Sequence, residues 1–207
     1  MTSSSFLSDP GAPVVTDASV IINLVATGTA PEIINAFPNR FLATTNVRRE
    51  LLEGRGRGHG SWEGLEALIV DGSIKPVELQ RSDEPVYRSL VEGEARETLD
   101  DGEAATIAYA VGRGAVALID ECKARRICAE RFRELRLAST ADVLLHGLVR
   151  DGLGVARQRD AIFRALRDAK MQVVPPDRMQ ELVRRIGLVR AAACTSLPEW
   201  VRTMAGG

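Results

Sequence analysis

The chain alternates short apolar runs that end on a polar residue with longer stretches whose apolar residues recur every three or four positions. Val14-Val15 closes on Thr16-Asp17 and predicts a short buried strand, and 19–26 (SVIINLVA) reads as an apolar helix closed by Gly28. Residues 40–44 (RFLAT) predict a second strand, followed by a helix through 46–52. The run 54–60 (GRGRGHG) is a loop, because glycine-rich sequence sustains neither helix nor strand. Helical spacing resumes over 61–70, and 74–79 looks extended, with Pro76 placing it at a sheet edge. Over 101–111, Ala104, Ile107, Ala108 and Val111 fall at helical spacing. The clearest strand is 115–119 (AVALI), bounded by Gly114 and Asp120. A basic helix (121–132), a short strand (135–138) and helices over 140–149, 157–170 and 177–186 complete the pattern.

Strands and helices alternating at this spacing predict βαβ units: an α/β fold with a central, mainly parallel sheet flanked by helices. Residues 13–155 carry that pattern, and 156–207 read as an α-helical C-terminal extension. Ligands of such sheets bind beyond the carboxyl ends of the strands. Asp17 and Asp120 each follow an apolar strand and therefore emerge at that edge.

Composition refines this picture. Of 207 residues, 45% are hydrophobic but only 4% aromatic, so the core is built from Ala, Val, Leu and Ile. No apolar run approaches the roughly 20 residues needed to span a bilayer. Residues 1–13 lack the features of a signal peptide, and 2–5 read as a loose tail, so the expected location is the cytoplasm, without membrane association. Cys122, Cys128 and Cys194 have no metal-binding spacing and are expected as free thiols. The 27 basic residues against 28 acidic ones, net −1, exclude a strongly cationic nucleic-acid coat but not a local basic patch.

Four carboxylates stand out, each with a structural alternative. Asp17 and Asp120 sit where an N-cap belongs, and Ser19 offers a second cap beside Asp17. Glu103 follows Asp100 by three residues, as in a capping box, yet shares the core-facing stripe with Ile107 and Val111, where a carboxylate needs a partner or a cation. Glu50 lies at the margin of the face formed by Val47 and Leu51. Converging acids repel unless a cation or raised pKa values hold them together. As hard oxygen ligands they suit Mg²⁺ or Mn²⁺. Other chemistries have little support. His59 and His146 accompany neither a nucleophile elbow nor a zinc pair, and Gly112-Arg113-Gly114 is no dinucleotide fingerprint. Arg55, Arg57 and His59 form either a phosphate-contacting or a merely solvated loop. Lys123, Arg125, Arg126, Arg131, Arg133 and Arg136 form either an RNA-contacting face or one salt-bridged to Glu121, Glu130 and Glu134.

The segments VVTDASVII (14–22), TTNVRREL (44–51), LDDGEAATIAYA (99–110) and ALIDE (117–121) together resemble the PIN-domain family, over roughly residues 13–155. The last two, with Ala124-Arg125-Arg126 after them, resemble prokaryotic toxin-like (VapC-like) PIN ribonucleases. That resemblance implies a metal-binding catalytic set of Asp17, Glu50, Glu103 and Asp120, with Mg²⁺ or Mn²⁺ as cofactor and RNA as substrate. Glu103 stands where many members carry Asp. Ser19, Lys123, Arg125 and Arg126 are the expected RNA contacts. The resemblance further implies an antitoxin partner, and the Ala/Leu/Val-rich helices are compatible with a homodimer. Two other readings stay open: a catalytically silent PIN-like module that binds RNA or protein, and a metal-dependent phosphatase or DNA nuclease.

Overall fold

A computed structural model describes residues 7–55, 60–173 and 175–203. The 2–5 tail, Arg57 and His59 lie outside the described residues. The sheet has five parallel strands: β1 (Val14–Thr16), β2 (Phe41–Thr44), β3 (Ile74–Val77), β4 (Val116–Leu118) and β5 (Arg136–Ala138), in the order β3-β2-β1-β4-β5. Val14 stands opposite Phe41 on one side and Val116 on the other, and Thr16 opposite Ala43 and Leu118. Pro76 lies on the edge strand β3, as its missing N–H requires. The chain runs outward from β1 through β2 to β3, then returns to β4 and β5 on the other side. The order therefore reverses between β1 and β4, which makes their carboxyl ends the crevice of the sheet.

Helices among the described residues are α1 (Ala18–Ala26), α2 (Ala30–Asn35), α3 (Thr45–Glu53), α4 (Ser61–Val70), α5 (Glu84–Val91), α6 (Asp101–Arg113), α7 (Cys122–Arg131), α8 (Thr140–Leu145), α9 (Gly147–Leu153), α10 (Val155–Arg167), α11 (Arg178–Ile186), α12 (Leu188–Ala192) and α13 (Glu199–Thr203). The pattern did not predict α2, α5, α12 or α13. The single helix expected over 140–149 is two, because His146 adopts an extended backbone (ψ 144°). Its ring packs on Phe37, centroids 5.0 Å apart, and its Nδ1 accepts from the Leu148 N–H at 3.2 Å, which caps α9. The helix expected to reach 170 ends at Arg167. Among the described residues no helix is long and apolar enough to cross a membrane.

Strand side chains alternate between two apolar layers. Val14, Phe41, Ala43, Val116 and Leu118 face one layer with Ile21, Leu24 and Leu144; Val15, Leu42 and Ala117 face the other with Leu90, Ile107 and Ile127. From residue 156 onward, Ile162, Leu166, Leu182, Ile186, Leu197 and Val201 lie in the first layer. A polar tie joins the same region to α8: Arg178 Nε donates to Asp142 Oδ1 at 2.8 Å, and the Asp142 carboxylate is buried. Asp142 also completes a capping box with Ser139, so Arg178 holds the start of α8 in place.

Candidate active site

The two central strands deliver Asp17 and Asp120 to neighbouring positions. The Asp17 N–H donates to the Leu118 carbonyl at 3.2 Å, which extends the β1–β4 ladder past the strand end. Asp17 is also the N-cap of α1: Oδ2 accepts from the Ser19 N–H at 3.3 Å and from Ser19 Oγ at 2.7 Å. Its other oxygen, Oδ1, is buried and has no partner. The residue is 3% exposed. Burial raises its pKa above the ordinary value; hydrogen bonds from Ser19 and the Ala18 and Ser19 backbone oppose this, and Asp100 adds repulsion. Capping thus uses half of this carboxylate and leaves the other oxygen buried and unpaired.

Asp120, also 3% exposed, is wrapped. The Thr140 N–H donates to Oδ1 at 2.8 Å, while Thr140 Oγ1 and Asn23 Nδ2, the latter at 2.8 Å, donate to Oδ2. Burial pushes its pKa up to about 6, against the lowering effect of Thr140 and Asn23, and Asp17 adds to the rise. Asp120 does not cap the helix that follows it. Glu121 does, accepting from the Ala124 N–H at 2.6 Å.

Glu50 and Glu103 approach from α3 and α6. Glu103 is partly buried, and its pKa is pushed up to about 8, first by lost hydration and then by Asp17, Glu121 and Asp100; the Asp100 backbone N–H works the other way. That N–H is half of the anticipated capping box. The other half is missing, because the Asp100 side chain makes no cap bond. Glu50 still meets solvent, yet its pKa is pushed up to about 7 by partial desolvation and by repulsion from Asp17, Asp100, Asp101 and Glu53. Asp101 is tied down by Tyr87, Asn46 and Arg49 and braces α3 against α6.

Gly102 explains how Glu50 reaches the site. A methyl group there would overlap Glu50 Oε2 and press on Val47 Cγ2 at 3.4 Å. Gly102→Ala is expected to leave the melting temperature unchanged or raise stability by up to about 1 kcal/mol, because alanine favours helix. The same change displaces the Glu50 carboxylate, and if Glu50 acts in the site, turnover is expected to fall roughly tenfold or more. Parallel melting and activity measurements would reveal this split, and equal activity would show that the position of Glu50 is immaterial.

Asp17 is thus coupled electrostatically to Glu50, Glu103 and Asp120. Among the described residues, no three Asp, Glu, His or Cys side chains are posed as a ready-made metal-ligand set. The donor chemistry nevertheless suits a hard divalent cation: the oxygens are carboxylate, one is buried and orphaned, and the acids raise one another's pKa values. The basic residues behave less uniformly. Arg125 donates to the Ile119 and Ala138 carbonyls at 3.0 and 3.2 Å, bracing β4 and β5. Arg126 is paired with Glu130 and donates to the Arg96 carbonyl. Lys123 has no ion pair among the described residues. Arg55 pairs with Glu63 at 2.7 Å.

A family model described as PIN domain matches residues 13–187. The chain belongs to the PIN-domain family. No curated protein and no solved structure matches it. PIN-domain membership points to nuclease-type, hydrolytic chemistry, and the match runs through α11. Within this PIN domain, sequence reasoning missed two contributors, Asn23 and Thr140, and read Asp100 only as the capping-box partner of Glu103. Asn23 had a visible signal, a polar residue between Ile22 and Leu24 in an apolar helix. Thr140 had one in the Ser139-to-Asp142 capping spacing.

Proposed function

We propose that this PIN-domain protein is a divalent-metal-dependent endoribonuclease. The observation that carries this reading is the half-used Asp17 carboxylate, whose unpartnered, buried Oδ1 stands among three further acids of raised pKa. Asp17, Glu50, Glu103 and Asp120 would hold Mg²⁺ or Mn²⁺. Such an ion, when bound, lowers the pKa of water and neutralises charge on a scissile phosphodiester. The chain's own residues prepare for it. Ser19 fixes Asp17 through Oδ2 and leaves Oδ1 directed elsewhere. Thr140 and Asn23 fix the Asp120 carboxylate in one orientation. Gly102 makes room for Glu50. The resemblance of 99–110 and 117–121 to toxin-like members extends the proposal to the toxin of a toxin–antitoxin pair, with an antitoxin protein and a second copy of the chain as partners and the cytoplasm as its location.

The decisive assay presents single-stranded and structured RNA together with DNA to the protein in Mg²⁺, Mn²⁺ or EDTA. Cleavage of RNA that EDTA abolishes is expected. Folded protein that cleaves nothing in either metal would make it a silent binding module. Cation binding has its own readout. Mn²⁺ at a hundredfold excess over its dissociation constant is expected to stabilise the fold by about 2.7 kcal/mol. Glu103→Gln should shrink that gain, and an identical gain in the variant would place the ion elsewhere.

A further inference from the structure

A cavity of about 200 Å³ opens beside Asp120 and Glu121. Its walls are Ser19 and Asn23 of α1 on one side and the segment 169–172, which leaves the end of α10, on the other. Asp120, Ser19 and Asn23 belong to the site already described, whereas the 169–172 wall has had no role. Lys170 is the one cation among the residues lining the cavity. It is exposed and has no ion pair among the described residues, while its neighbours Arg167 and Asp168 are paired with each other.

The backbone at Lys170 is unusual. With φ at 53° it is the non-glycine residue of left-handed conformation among the described residues. Glycine adopts that conformation freely and lysine does not. The surroundings enforce it: the Met171 N–H returns to the Ala165 carbonyl at 3.1 Å, and the Met171 side chain is buried. A left-handed residue is a common way to end a helix, and here it makes the turn after α10 that sets Lys170 at the edge of the cavity.

Electrostatics says which ligand. A polyanion approaching Asp17, Glu50, Glu103, Asp120 and Glu121 is repelled unless a cation at the rim draws it in. Arg125 and Arg126 spend their guanidinium groups on the protein itself, and Lys123, which has no ion pair among the described residues, does not line this cavity. We propose that the cavity between α1 and the 169–172 segment is a substrate subsite in which the Lys170 ammonium takes an RNA phosphodiester neighbouring the one cleaved. This rests on the ribonuclease reading. It assigns part of the chain beyond residue 155 to substrate contact.

The test is equilibrium binding of a short, labelled single-stranded RNA to the full chain in Ca²⁺, from about 50 to about 200 mM KCl. Lys170→Gly removes the charge and relieves the backbone, so folding is not at risk. Lys170→Arg keeps the charge, and Lys75→Ala removes an exposed charge on β3 as a control. Loss of one phosphate contact from a single strand flattens the salt slope by about 0.7 and weakens binding roughly fivefold near 0.1 M salt. That result in Lys170→Gly, with Lys170→Arg and Lys75→Ala close to the original protein, is expected. Unchanged slope in Lys170→Gly overturns the subsite and leaves the ribonuclease reading intact, as does an equal loss in Lys75→Ala. Failure of the original protein to bind RNA at all would overturn both.

Discussion

On the proposed ribonuclease reading, the substitution Asp17→Asn is expected to cut RNA cleavage by about a thousandfold while making the metal-free protein more stable. A metal ligand that also polarises the reaction is worth several kcal/mol in the transition state, and about 4 kcal/mol is a thousandfold in rate. The gain in stability comes from the same atom. Asp17 Oδ1 is buried without a partner, so the folded protein bears the cost of an uncompensated charge. The asparagine side chain keeps an oxygen to accept from Ser19 and removes that charge, and losing it outweighs the unpartnered amide N–H groups put in place of Oδ1, for a net gain of about 1 kcal/mol at neutral pH. Cleavage rates and thermal melts on one preparation check both halves. A variant that melts higher and still cleaves at the original rate would reduce Asp17 to a helix cap. One that melts far lower would mean that its loss of activity is only a loss of fold.

With divalent ions chelated, stability is expected to fall as pH rises from about 5 to about 8. Asp17, Glu50, Glu103 and Asp120 all have folded-state pKa values above their ordinary ones. Between the two values the folded chain holds protons that the unfolded chain has released, so each increment of pH favours unfolding. Asp120, moved from 3.8 to about 6 in a nearly closed environment, contributes roughly 1 kcal/mol of this loss, the rest of its effect falling below pH 5. Glu50 and Glu103 extend the window to about 7 and about 8, with smaller contributions because water reaches them. Acids of lowered pKa such as Asp160 and Asp168 act in the opposite sense, at the acid end below this window. Urea unfolding in EDTA at pH 5, 6.5 and 8 measures the trend. A flat or rising profile would mean that the four carboxylates are not strained by one another, and Glu103→Gln should flatten the upper part of the slope.

Much of this architecture was legible in the sequence because its determinants are local. The three central strands β1, β2 and β4 are short, mostly apolar runs, and Asp17 and Asp120 declare themselves by ending two of them. What escaped depends on contacts between distant residues. The break at His146 follows from a ring packed on Phe37, more than a hundred residues earlier, and α8 and α9 share one helical pattern that cannot reveal it. Helices α2 and α5 are too short for periodicity to speak, although Pro31 and Pro85 mark their first turns. Among the site residues, Asn23 and Thr140 were readable as polar groups needing partners, but not as partners of Asp120. Arg125, whose sequence position beside Asp120 suggested RNA, is turned inward to two backbone carbonyls.

The hydrogen bond from Asn23 to Asp120 joins residues 97 positions apart, and Thr140 closes the same carboxylate from 20 positions further on. During synthesis the first half of the chain therefore leaves the ribosome with Asp17, Glu50 and Glu103 but without Asp120. Asp120 is not oriented until α8 has emerged, and α8 is not pinned until Arg178 arrives. On the ribonuclease reading, the catalytic centre of a nascent chain is therefore assembled only once the residues around Arg178, far downstream of Asp17, have emerged.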